Sequence, residues 1–148
     1  MRKWFFIPSF LLLILIAQSV EGKNCKPWPA RKVYVGSFGR DPGAAYMRGR
    51  LLAKLARSGE VVLVEDPSIA DLTVRGHAKL WVAGHWHSNP RAQDRGTPVY
   101  DARMTIEIDD ARGRALWSGT LKPRFWGSQY VSDNVANQAA EYIIRIPQ

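Results

Sequence analysis

Two stretches of alternating apolar and polar residues constrain this fold more than any other feature. In residues 72–82 every second side chain is apolar or small, and residues 100–108 alternate in the same way. A period of two is that of a β-strand with one buried face. The second stretch leads through the turn sequence Asp109–Arg114 into a further strand, Ala115–Leu121. The pattern predicts an antiparallel hairpin with one face in water.

The remaining elements are shorter and precede or follow these strands. A β-rich run covers Arg31–Phe38, and a continuous apolar run at Val61–Val64 is typical of a buried strand. Apolar residues at helical spacing predict one helix over Ala44–Arg57 and a last helix from Ser132 to Ile146. The order β-α-β-β-β-β-α predicts an α+β two-layer sandwich: a mixed sheet with both helices packed on one face and the other face open.

The N-terminus has the order of a secretory signal. Basic residues at positions 2 and 3 precede an uncharged apolar run to Ala17, and small and polar residues follow it. We expect residues 1–22 to be a signal peptide, cleaved after Ser19 or Gly22, with an uncleaved anchor as the alternative. The protein is therefore expected to be exported to the periplasm or the extracellular space, with no stable membrane span after cleavage.

Residues 23–31 are expected to form a flexible basic leader, followed by one domain over residues 32–148. Cys25 is the only cysteine, so an intrachain disulfide is excluded, and the Lys and Asn before it do not fit a lipidation box. The role of Cys25 stays open. The chain holds 21 basic and 13 acidic residues, a net charge of +8. Such a charge suits polyanionic neighbours, although solubility alone is the favoured explanation.

Three histidines lie within eleven residues: His77, His85 and His87. If the strand continues past Val82, all three share a face, and the last two have a spacing that suits chelation of zinc or copper. A third or fourth ligand would come from Asp94 or Asp101, the first two carboxylates that follow the histidines in sequence. Histidine pairs two residues apart are unspecific, so the favoured interpretation is an exposed polar loop without metal or other cofactor.

Aromatic and basic side chains mark the expected interaction surface. We expect the irregular stretch Gly84–Pro98 and the open sheet face to contact a partner, because Trp and Arg dominate interface hot spots. The candidate residues are Trp81, Trp86, Arg91 and Arg95, extended on the sheet face by Arg75, Lys79 and Arg103. The alternative is a solvated sheet face covered by charged side chains. Export makes nucleic acid an unexpected ligand.

No catalytic arrangement is evident. No serine stands in a nucleophile-elbow motif, and the paired carboxylates Asp109 and Asp110 are expected in a hairpin turn open to water. The glycine-rich segment Gly36–Gly43 matches neither nucleotide-binding motif, so a turn that needs positive φ explains it better. We therefore expect a protein that is not an enzyme.

Several short motifs together suggest a family. They are the strand Val33–Gly39, the helix end Leu51–Gly59, the strand Val61–Asp66, the segment Ala70–Gly76 and the return strand Leu116–Ser118. This pattern resembles the periplasmic α/β domains of curli-secretion CsgG-like lipoproteins and of the N-terminal part of TolB-like proteins. The resemblance implies an envelope protein that binds partners or assembles into complexes without enzymatic activity. The chain departs from the family because it has neither the lipidated cysteine nor membrane-spanning hairpins.

The leading hypothesis is a non-catalytic, exported binding or scaffold module that contacts an envelope protein, with self-association as a further option. A second hypothesis is a metal-binding protein that uses the histidine cluster. A third is a module that binds polyanions, such as lipopolysaccharide or polysaccharide, through its net charge.

Overall fold

The computed structural model describes residues 30–87, 96–124 and 130–147. The order of elements is the expected β-α-β-β-β-β-α, which confirms the α+β class. The strands are β1 (Arg31–Val35), β2 (Val61–Val64), β3 (Leu72–Trp86), β4 (Thr97–Asp110) and β5 (Ala115–Leu121), and the helices are α1 (Pro42–Ser58) and α2 (Val131–Arg145).

The strands form one mixed sheet in the order β2-β1-β3-β4-β5. Strand β1 lies parallel to both β2 and β3, while β3, β4 and β5 follow one another antiparallel. Helix α1 therefore connects β1 to the adjacent parallel strand β2. Parallel neighbours need a crossover connection of this kind. The glycine-rich loop then extends β1 along β3, since Gly36 N–H donates to Val74 O (2.9 Å) and Phe38 O accepts from Ala78 N–H (3.0 Å).

The core lies between one face of the sheet and the two helices. Val33, Val74 and Ile106 from the sheet are fully buried, as are Leu51 of α1 and Ile143 of α2. These side chains belong to one continuous apolar cluster. At its edge Trp117 of β5 stacks on Tyr142 of α2, with ring centroids 4.6 Å apart. The alternation seen in the sequence thus places the apolar set under the helices and leaves the polar set on the open face.

Both helices begin slightly earlier than expected. Helix α1 starts at Pro42, which suits a first helical turn, and ends at Ser58, followed by Gly59, whose φ of 68° is the left-handed conformation of a glycine cap. Helix α2 starts at Val131, so Ser132 lies inside its first turn instead of capping it. The helices are joined by a two-pronged ion pair, in which Arg50 donates to both carboxylate oxygens of Asp133.

This interhelical pair makes part of the stability depend on pH. The hydrogen bond from Arg50, followed by the charges of Arg50, Lys54 and Arg57, holds the pKa of Asp133 below its usual value. Since the folded pKa lies below the unfolded one, the contribution is present above about pH 4 and is lost as pH falls through the folded pKa. We expect Arg50→Gln to unfold at lower denaturant concentration than wild type at pH 7 and at the same concentration near pH 2. Equal differences at both pH values would contradict this assignment.

The turn between β4 and β5 differs from the sequence expectation. Asp109 was expected in a turn open to water, yet it lies within β4 and is only 3% exposed. The turn begins at Asp110, whose carboxylate accepts from the backbone of Arg112 (2.8 Å) and Arg114 (2.9 Å). These bonds, those to the Arg114 backbone above all, lower the pKa of Asp110. The two adjacent carboxylates therefore face different surroundings and do not form a water-exposed pair.

One predicted boundary was wrong and another is confirmed. Strand β1 begins at Arg31, the first residue of the predicted β-rich run, and the Arg31 guanidinium donates to Ile146 O at 3.0 Å. The stretch Gly84–Pro98 is not irregular throughout, since β3 continues to Trp86 and β4 begins at Thr97. The predicted signal peptide, most of the predicted leader and Cys25 lie outside the described residues. Among the helices that the structure describes, none is both long and apolar enough to cross a membrane.

Candidate functional site

The long hairpin of β3 and β4 extends beyond the rest of the sheet. Strand β1 pairs with β3 only over Leu72–Val74, and β5 pairs with β4 only over Met104–Asp109. Residues 79–86 and 97–103 pair with each other and with no other described strand. We call this two-stranded segment the β-arm. A two-stranded ribbon is only marginally stable by itself and has two free edges, so its surroundings decide what it does.

Burial on the helix-facing side ends within the β-arm. Ala102 is fully buried and Leu80 still packs against the core, where the Gly43 position of α1 closely approaches Leu80. The next pair along, Val82 and Tyr100, is exposed to 46% and 36%. A helix of 17 residues spans about 26 Å, whereas a strand of 15 residues spans about 50 Å. The helices are therefore too short to cover the whole hairpin.

A β-bulge changes which side chains share a face. Val82 pairs with Tyr100 and Gly84 pairs with Val99, so Ala83 is the extra residue. Before the bulge Trp81, opposite Asp101, lies on the open face of the sheet. After the bulge the parity is reversed, and Trp86 falls on that same face. Both tryptophans of the interaction surface thus lie on one side of the β-arm, and Trp86 is 64% exposed.

The same bulge separates the histidines. The expectation that His77, His85 and His87 share a face was wrong, because His85 pairs with Pro98 on the side opposite to His77. His87 lies beyond the paired residues, against Gly96. Among the described residues no group of three His, Cys, Asp or Glu side chains is close enough to hold a metal ion. The first additional ligand considered, Asp94, lies outside the described residues.

Arg75 is held in place by carboxylates. Its guanidinium lies 2.6 Å from the buried Asp109 and 3.9 Å from Glu107, which faces it across the strands. The charge of Arg75 is therefore balanced by neighbours on the sheet. We assign Arg75 to the stability of the open face.

Lys79 and Arg103 are arranged differently. They are directly opposite each other on β3 and β4, both are exposed, and neither forms an ion pair with any other described residue. Like charges at directly opposed positions destabilise a sheet. We call these two residues the cationic pair. It lies at the base of the β-arm, and Trp81, two residues beyond Lys79, is the next side chain of β3 on the same face.

The cationic pair yields a prediction of increased stability. In Arg103→Glu a carboxylate faces Lys79, so repulsion becomes attraction, and we expect a gain of about 0.5 kcal/mol in the free energy of unfolding at low salt. Denaturant titration at low and high salt measures it, and screening should reduce the gain. Introducing Lys79→Gln beside Arg103→Glu removes the partner. A gain that persists there would show that the register pair is not its source.

Two of the predicted interaction residues, Arg91 and Arg95, lie outside the described residues. The Ser37 hydroxyl has a hydrogen-bond partner two residues away, since it donates to Gly39 O (3.2 Å). Gly39 has the positive φ expected in this loop (127°). Sequence reasoning missed Val82 and Tyr100, which the alternation assigned to the buried face. The signal that would have identified them is the length of the hairpin compared with the helices that cover it.

Comparisons with known proteins gave structural neighbours only. No family model and no curated protein matches the chain. A PelC dodecamer from Paraburkholderia phytofirmans is 18% identical, with 80% of this chain and 89% of that chain covered and a TM-score of 0.46. An uncharacterized lipoprotein B from Nitrosomonas europaea is 14% identical, with 79% and 81% covered and a TM-score of 0.37. A neuraminyllactose-binding hemagglutinin homolog from Helicobacter pylori is 9% identical, with 79% and 82% covered and a TM-score of 0.41.

None of these three structures is named as a CsgG-like or TolB-like protein, so that resemblance stays a prediction. Similarity at this level says nothing about what the chain binds.

Proposed function

We propose that this protein is a non-catalytic, exported binding module that holds a protein partner through the β-arm. The observation that carries the proposal is the exposed apolar surface on both sides of a two-stranded ribbon. Val82 and Tyr100 face one side, and Trp86 faces the other. Exposed apolar clusters on a soluble domain mark sites of interaction. Export is supported by the signal-like pattern of residues 1–22.

The position of the β-arm favours a binding role. A ribbon without neighbouring strands gains stability when a partner covers its apolar side chains or pairs with its edges. Trp and Tyr, two of the side chains offered here, contribute large contact area and are enriched at interface hot spots. The folded layers beside it supply the rigid base, because Leu80 and Ala102 anchor the β-arm in the core.

The test compares the wild type with two matched triple variants, each as the full-length protein. Each is recovered from the cells that express it, in buffers of low and moderate salt, and the proteins that it retains are compared. The arm variant is Val82→Thr, Trp86→Gln and Tyr100→Thr. The control variant is Val62→Thr, Ile69→Thr and Leu116→Thr, which removes three exposed apolar side chains elsewhere. We expect wild type and control to retain the same protein at moderate salt and the arm variant to lose it. Circular dichroism verifies that all three are folded.

Retention of that protein by the arm variant would overturn the proposal. So would a wild type that retains only polyanions released by moderate salt, because net charge would then explain the binding.

A further inference from the structure

We propose that the cationic pair receives the carboxylates of an extended, acidic peptide segment of the partner. This inference rests on the proposed function and specifies the chemistry of the partner. The other arginine on this face, Arg75, has carboxylates at 2.6 Å and 3.9 Å. Lys79 and Arg103 have no such neighbour among the described residues, although they face each other directly.

Neighbouring polar side chains on the open face already have hydrogen-bond partners. Thr105 and Thr120 share a hydrogen bond of 2.9 Å between their hydroxyls. The nearest carboxylate in the strand register is Asp101, opposite Trp81, and its Oδ1 accepts from the backbone N–H of Ala102 at 2.7 Å. One carboxylate stands beside two cations, so the base of the β-arm carries net positive charge. A ligand carboxylate would relieve the repulsion that folding leaves in place.

The geometry favours a peptide over an acidic polysaccharide. Beyond Ala78 no described strand pairs with the outer edge of β3, but a Cβ at Gly43 of α1 would lie 3.4 Å from Leu80 N and the bulge at Ala83 interrupts the strand, so the open part of this edge lies at Val82. The corresponding edge of β4 contains Pro98, which has no N–H to donate. An extended peptide can pair its backbone with this edge at Val82 and place side chains on the open face beside Trp81 and Lys79. A polysaccharide offers no such backbone pairing.

Amide NMR titration of the full-length protein with hexaglutamate as the probe tests the inference. The pair variant is Lys79→Gln with Arg103→Gln. The control, Lys54→Gln with Arg112→Gln, removes one lysine and one arginine on α1 and in the β4–β5 turn. We expect the amides of residues 79–82 to shift in wild type and the pair variant to lose affinity about ten-fold. The control should retain wild-type affinity within about two-fold.

Equal losses in both variants would overturn the inference, because net charge would then account for the binding. Hexagalacturonate that binds as tightly as hexaglutamate, with the same dependence on the pair, would overturn the assignment of a peptide. A pair variant that still retains the partner lost by the arm variant would refute the acidic segment and leave the proposed function standing.

Discussion

Replacing Gly76 with alanine should destabilise this domain more than the same replacement at any other glycine of the described strands. A Cβ at this position would lie 2.0 Å from Thr105 O and 3.0 Å from the Cα of Ile106 on the neighbouring strand. Both are backbone atoms, so no side-chain rotation relieves the clash, and β3 and β4 must separate in the middle of the sheet. We expect a loss of about 3 kcal/mol in the free energy of unfolding, measured by denaturant titration.

Gly84→Ala is the matched control for this substitution. It lies on the same strand, and a Cβ there meets no atom within 4 Å. Its effect should stay within about 0.5 kcal/mol. Equal midpoints of unfolding for the two variants would mean that β3 and β4 do not approach as closely at Gly76 as described.

Replacing Arg75 with methionine should cost about 2 kcal/mol at neutral pH. Asp109 is 3% exposed, and the Arg75 guanidinium at 2.6 Å balances its charge. Removing one member of a buried pair leaves a charge that has lost both water and its partner. The Arg75 side chain is itself 60% exposed, so the expected loss lies below that for a fully buried pair.

The double variant Arg75→Met with Asp109→Leu separates this effect from simple packing. With both charges absent, we expect most of the lost stability to return, because an apolar pair of similar size has no desolvation cost. Denaturant midpoints of the two single variants and the double variant form the cycle. A double variant as unstable as the sum of the single ones would show that Arg75 and Asp109 act independently.

The sequence predicts most of this fold because its elements follow simple periods. The alternation in residues 72–82 and 100–108 correctly assigns Val74 and Ile106 to the core. Helix α1 and strand β2 are found from their apolar spacing and from the glycine that ends the helix. These features depend on residues close together in the chain, which is why local reasoning identifies them.

The errors arise where a non-local feature decides. The bulge at Ala83 shifts the parity of the strand, so the histidines separate and Trp86 joins Trp81 on one face. Val82 and Tyr100 continue the apolar alternation, but the helices end before they can cover them. Asp109 resembles a turn residue in sequence, and only its pairing with Arg75 explains why it is buried. In each case the partner across the sheet sets the outcome.

Site-specific photo-cross-linking in the cells that express the protein tests the central claim most directly. A photoreactive phenylalanine derivative replaces Trp86 on the β-arm or, as the control, Arg57 on the exposed surface of α1. We predict that illumination joins position 86 to one discrete protein and that position 57 gives no such product. Adducts of equal yield from both positions, or an adduct from position 57 alone, would contradict a binding function for the β-arm.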